Sequence, residues 1–501
     1  MVESAEMRGP PASPHPDAAP PPELVLWDAR RLAGAIRAGE VSAVEVMEAH
    51  LAHIGRMNPL LNAIVSPRDP DLLLAEAHAA DAAVASGKPV GPLHGLPIAV
   101  KDLQPVKGLP WTQGSPIFRD LIAPHDSIMV ERLRGAGAII VGKTNTPEFC
   151  LGSHTFNPVF GPTRNPYDLS RSAGGSSGGA AAALAARLLP LADGSDYGGS
   201  LRNPAGWCHV FGFRPSFGRV PAHVREDWLP GMGVTGPMAR NVGDLALLLS
   251  VQAGFDARAP LSLEGGGEGF RPPLTGDPVG AAKGKRIAWL GDFGGWAPHE
   301  AGVLALCREA LEAFDALGCV VEEAAPDFPP EPVWQAFMRL RHWQAGGALR
   351  PLHADPARRA LMKPEAVWEV EQGAKLSAFE VLDASVVRSD WSQAVRALFE
   401  RYDFLVLPTA QVFPFPVEWD WPREIAGQAM RTYHEWMKAV CLISMAGCPA
   451  LAAPAGLSAA GLPMGIQIVG PVHGERACLA LAAAYEAAAP ETATRRPPIL
   501  S

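Results

Sequence analysis

Apolar residues recur every three to four positions over Asp28–Ala38 and again over Ala43–Arg56, which predicts two helices near the start of the folded chain. Ser42 stands at the N-cap of the second, with Glu45 at the capping-box position. Asp71–Ser86 predicts a third helix, closed by Gly87. The period then changes. Leu96–Val100 reads as a short buried strand, and Ala138–Val141 as another, after a helix around Ile128–Arg134. Further on come strand Arg286–Leu290, helix 299–317, strand Cys319–Glu322, a long helix near 377–401 and strand Phe404–Leu407. Ala450–Ala453, Gly465–Val469 and a closing helix over 474–488 complete the series. Short apolar strands alternating with helices predict an α/β fold on a large, mostly parallel sheet.

Residues 1–22 break this pattern with seven prolines among alanines and polar residues, and read as a disordered tail. Residues 23–501 read as one domain, with a Gly/Pro-rich surface loop at 256–284. The segment 331–440 holds Trp334, Trp343, Trp368, Trp391, Trp419, Trp421 and Trp436, seven of the thirteen tryptophans. Its elements read mainly as helical: a layer covering a site, or helices packed onto the sheet by their rings.

Charge and cysteine content narrow the function. The net charge is −9, with no basic cluster, so nucleic acid is not an expected partner. Seven cysteines with no C-x-x-C pair support neither zinc nor a disulfide framework; buried thiols in a reducing compartment are expected. The most apolar helix candidate, Ala180–Ala192, is short and interrupted by Arg187 and Pro190, too little for a membrane span. Residues 1–22 lack the apolar segment of a signal peptide. These features predict a soluble cytoplasmic protein; a monomer or homodimer acting on a small molecule is the separate expectation for its partners.

Candidate chemistry is concentrated between Lys101 and Ser200. Ser200 ends the loop Gly194-Ser195-Asp196-Tyr197-Gly198-Gly199-Ser200, where two glycines allow successive N–H groups to converge on one oxygen. A serine there is either a nucleophile beside an oxyanion hole or a helix N-cap. Ser176 lies in Gly174-Gly175-Ser176-Ser177-Gly178-Gly179, ahead of an alanine-rich helix over Ala180–Ala186. That loop lacks the Lys-Ser/Thr ending of a P-loop. It fits G-x-S-x-G, but the nucleophile elbow needs a strand before it, and Asn165–Arg171 reads as loop. An anion cradle, a relay serine and a plain turn stay open on the loop alone. Lys101, at the end of an apolar strand, favours the relay: desolvation lowers a lysine pKa from about 10.4, and a neutral amine can take a proton. His94 and His209 lie nearest these residues, outside any comparably specific loop, and read as structural.

With these residues in view, the chain resembles the amidase signature family. The likeness runs through Gly91–Pro97 into Lys101-Asp102, then Gly142-Lys143-Thr144-Asn145, the whole 174–221 block, Pro449-Ala450 and Pro463–Ile468. It implies Ser200 as nucleophile, Ser176 as a relay held by a cis peptide, and Lys101 as base. It also implies an oxyanion hole from the N–H groups of Tyr197, Gly198, Gly199 and Ser200, with Ser177, Asp196 and Arg202 in support. The implied fold is one α/β/α sandwich with a large mixed sheet, and the implied chemistry needs no metal or organic cofactor. Tyr197 replaces a smaller residue common in the family, and Leu103-Gln104 replaces a common Asn-Ile pair; both bear on substrate choice. The Arg202–Cys208 run and the tryptophan-rich segment look most like members cleaving nylon oligomers, aryl amides and urethanes. The expected activity is therefore hydrolysis of an apolar or aromatic amide or carbamate through an acyl-enzyme. The alternatives are a non-catalytic anion-binding module and a component of a glutamine-dependent amidotransferase.

Overall fold

A computed structural model describes residues 20–222, 228–229, 231–274 and 276–500. The tail expected at 1–22 lies outside the described residues up to position 19. Eleven strands form the central sheet. In chain order they are β1 (Ile64–Val65), β2 (Pro97–Lys101), β3 (Ile139–Thr144), β4 (Leu191–Asp196), β5 (Phe211–Arg214) and β6 (Val234–Ala239). Then come β7 (Arg286–Trp289), β8 (Val320–Glu323), β9 (Phe404–Pro408), β10 (Ala450–Leu457) and β11 (Pro463–Val469). Their spatial order is β1-β3-β2-β4-β6-β5-β10-β11-β9-β7-β8. The sheet is mixed, as an α/β/α sandwich of this size allows. Parallel pairing joins β3-β2-β4 and β9-β7-β8. Antiparallel pairing runs through the middle, from β4 to β9, and attaches β1.

The periodic helices form where their apolar stripes place them. Ala29–Ala38 is capped by Asp28, and Ala43–Leu61 opens on the Ser42–Glu45 capping box. The latter runs past Arg56 because Met57 and Leu61 continue its buried stripe, and it ends at Asn62 in the left-handed region. Helix Val303–Ala316 starts later than position 299, because Gly302 ahead of it has φ 92°.

Two differences around the glycine loops matter for the site. The apolar run Ala180–Ala192 is a helix only over Gly178–Ala185; Arg187 turns with φ 62°, and Leu191 opens β4. The turn is hidden in sequence because Leu188, Leu189 and Leu191 keep the run apolar. Asn165–Arg171 is also not all loop: Arg164–Asn165 and Asp168–Ser172 form a separate two-stranded hairpin. That hairpin stands outside the central sheet, so it does not supply the sheet strand of a nucleophile elbow.

The tryptophan-rich segment contributes helices Pro330–His353, Pro364–Gly373 and Ala378–Leu398, besides strand β9. The first of these packs on the other two and on Lys438–Ala446. Trp334, Trp391 and Trp436 are buried in the main core, with Trp436 stacked on Trp207, so these rings bind layers together. Trp419 is half exposed. Among the described residues no helix is long and apolar enough to cross a membrane.

Candidate active site

β2 and β4 pair in parallel with Ala99 opposite Ala192, which sets Lys101 beside the start of the second glycine loop. β2 is buried along its whole length, and Lys101 is fully buried with it. Its Nζ lies 2.7 Å from Ser176 Oγ, 2.9 Å from Ser177 Oγ and 2.9 Å from Ser195 Oγ. Burial pushes the amine below the ordinary lysine value, against the opposing influence of Cys150, Asp193 and Asp196. Lys143 on β3 makes the contrast: equally buried, it has a carboxylate, Asp102 Oδ1, at 3.3 Å. Two lysines thus stand on adjacent strands, one held by a counter-ion and the other among hydroxyls.

The first glycine loop delivers Ser176 to that amine. Ser176 is buried and follows a cis Gly175–Ser176 peptide. The Ser177 N–H donates to the Ser200 carbonyl at 3.3 Å, which ties the two loops together. Ser200 is half-buried, and among the described residues its hydroxyl makes no hydrogen bond.

Asp196 shapes the second loop. Its carboxylate accepts the N–H groups of Gly199 at 2.9 Å and Leu201 at 3.0 Å. Arg202 reaches it with Nε and Nη2, both at 3.0 Å, and Arg214 Nη1 lies at 3.1 Å. Burial pushes this carboxyl up, but the two guanidinium groups outweigh it and hold it well below the usual carboxylate range. Gly199 has φ 110°, and a side chain there would strike Asn203 and Val440. A Cβ on Gly198 would come within 3.1 Å of Cys441 Sγ. Of the four N–H groups expected to face an oxyanion, that of Gly199 donates to Asp196 Oδ1. Replacing Asp196 by Ala strands Arg202 and Arg214 in the interior. We expect a loss of about 3–5 kcal/mol in urea unfolding; a loss under about 1 kcal/mol would show that the loop does not need this hub.

Neither His94 nor His209 bonds a serine of the two glycine loops. His94 Nε2 bonds the Ala80 carbonyl and His209 Nε2 the Thr492 carbonyl. Residues unnoticed in the sequence join the site instead. Besides Ser195, Asp193 accepts the Lys101 backbone N–H at 2.9 Å, and burial pushes its carboxyl up to about 6. Cys150 is half-buried, while the other six cysteines are buried and all seven are free. Among the described residues no group of three or more His, Cys, Asp or Glu side chains could hold a metal ion.

The sequence pattern of the amidase family matches residues 45–479 of this chain. The chain belongs to the amidase signature family. An acylamidase of Rhodococcus erythropolis is 36% identical over 92% of this chain and 95% of its own length. A glutamyl-tRNA(Gln) amidotransferase component of Salinispora tropica is 34% identical over 93% of this chain and 97% of its own. A solved bacterial aryl acylamidase of the amidase signature family superposes with a TM-score of 0.86 at 29% identity, covering 94% of this chain and 99% of that one. This amidase signature protein is therefore a hydrolase of C–N bonds other than peptide bonds, similar to acylamidases.

Proposed function

We propose that the chain hydrolyses amides or carbamates of apolar or aromatic small molecules through an acyl-enzyme on Ser200. The observation that carries this reading is Lys101, fully buried with three hydroxyls as its side-chain partners. Such an amine is best kept neutral, and a neutral amine is a base. In the proposed reaction Ser200 Oγ attacks the carbonyl carbon and gives its proton to Ser176, which passes its own to Lys101 Nζ. The N–H groups of Tyr197, Gly198 and Ser200 hold the oxyanion; losing one such donor costs about 3 kcal/mol of barrier. Collapse breaks the C–N bond, and the amine leaves with the proton returned from Lys101 through Ser176. Water then attacks the ester by the same relay and releases the acid.

The substrate class rests on the acylamidase likeness and on an apolar cluster apart from the main core. Phe149 and Leu151, flanking Cys150, pack there with Leu349, Met362 and Val370 of the helical cover. The test is mass spectrometry of the intact protein and its digest after exposure to activated aryl amides, aryl carbamates and glutamine. We expect an acyl or carbamoyl adduct on Ser200 from the aryl compounds, and poor reaction with glutamine. An adduct confined to another residue overturns the mechanism; ready ammonia release from glutamine with no aryl turnover favours the amidotransferase alternative.

A further inference from the structure

Glu369 lies on helix Pro364–Gly373, outside the serine–lysine cluster, and is fully buried. Four side chains converge on its carboxylate. Arg341 Nε lies at 3.3 Å and His342 Nδ1 at 2.6 Å, both from helix Pro330–His353. The Tyr433 hydroxyl donates at 2.5 Å, and His434 Nε2 stands 3.1 Å away without hydrogen-bond alignment. Burial pushes the Glu369 carboxyl up, but His342, His434 and the Arg341 charge outweigh it and hold it well below the usual range. The carboxylate is therefore ionised at neutral pH and pairs with Arg341.

Arg341 faces the second glycine loop on its other side. Its guanidinium carbon lies 4.7 Å from the centre of the Tyr197 ring. The Tyr197 hydroxyl donates to Gln344 Oε1 at 2.7 Å, and its ring meets Phe337 edge-on at 6.0 Å. Residues 337, 341 and 344 share one helix face, so a single face of the cover grips one tyrosine. That tyrosine opens the 197–200 loop, and a Cβ on its neighbour Gly198 would come within 3.3 Å of Phe337 and 3.1 Å of Cys441.

We infer that Glu369 is a positioning residue for the reaction. Through Arg341 it fixes Tyr197, and through Tyr197 the N–H groups that face the oxyanion. This rests on the acyl-enzyme reading above. It concerns charge that develops in the transition state, so it is read in kcat more than in KM.

The experiment compares Glu369→Gln, Arg341→Lys, Tyr197→Leu, Tyr197→Phe and the Glu369→Gln/Tyr197→Leu pair, with kinetics taken well below each melting temperature. Glu369→Gln, Arg341→Lys and Tyr197→Leu should each lower kcat about 10–100-fold with KM within about threefold. Tyr197→Phe keeps the ring over Arg341 and should retain a kcat about threefold or more above that of Tyr197→Leu. The double variant should be no more than about twofold worse than the worse single, because both act along one path. The proposal is overturned if Glu369→Gln lowers only the melting temperature, if the two losses multiply, or if Phe at 197 is as poor as Leu. Should Glu369→Gln fail to fold, Arg341→Lys and the Tyr197 pair decide by the same criteria. Adduct formation on Ser200 is followed in parallel: its absence in the parent counts against the acyl-enzyme reading, whereas slow formation in the variants alone supports the positioning role.

Discussion

Ser200→Ala is expected to lower kcat/KM for an aryl amide by about 10⁴-fold or more while the melting temperature stays at the parent value. The two halves of this expectation come from different observations. The hydroxyl makes no hydrogen bond among the described residues and the residue is only half-buried, so the fold does not depend on it. The loop is instead held by Asp196, Arg202 and Arg214, which the substitution leaves alone. Chemistry, in contrast, loses the atom that forms the bond to the acyl group. What remains is whatever the donor N–H groups and binding supply without a nucleophile. The measurement is steady-state kinetics with thermal unfolding on the same preparation. Activity within about tenfold of the parent, with normal unfolding, would remove Ser200 from the role proposed for it.

The parts of this site that could be read in sequence are those whose chemistry is local. Glycines 198 and 199 announce a tight loop, and Gly199 does adopt a backbone that favours glycine. Lys101 at the end of a wholly apolar strand announces desolvation, and it is buried as that placement implies. The hydrogen bond between Lys101 and Ser176 spans seventy-five positions, yet two local signals suggest that pairing. What was illegible depends on register or on distance. Asp193 and Ser195 reach Lys101 because β4 lies beside β2, but Leu188–Ala192 reads as a continuation of the alanine-rich helix, which conceals the strand. The antiparallel middle of the sheet was hidden for a related reason. β5 and β6 are short strands joined through a Pro/Gly-rich stretch, so neither shows a period long enough to stand out. Glu369 illustrates the second cause. Its partners come as two pairs, 341 and 342 from one helix and 433 and 434 from a later segment, and no spacing in the sequence marks the pairs as neighbours of 369 or of each other.

Lys101→Ala and Ser176→Ala are each expected to cost about 10³-fold or more in kcat/KM, and the double variant is expected to be little worse than the worse single. Non-additivity follows if one proton passes through both groups, since removing either breaks the same path. Losses that multiply would show two independent contributions. The pH profile tests the same relay from the other side. The base must be neutral, so protonating Lys101 stops the reaction and the rate rises with pH across the lysine's own titration. Burial pushes that titration below the free value of about 10.4, so the acid limb should lie below that value too. Asp193 offers a way to move it. Its negative charge favours the protonated lysine, so Asp193→Asn destabilises the charged form and should carry the acid limb to lower pH, by roughly a unit or less. A limb that stays fixed or moves upward in Asp193→Asn would separate Lys101 from the titration being observed. A profile that falls from about pH 6 upward would contradict a lysine base altogether, because it would require the protonated form of a group that this mechanism needs neutral.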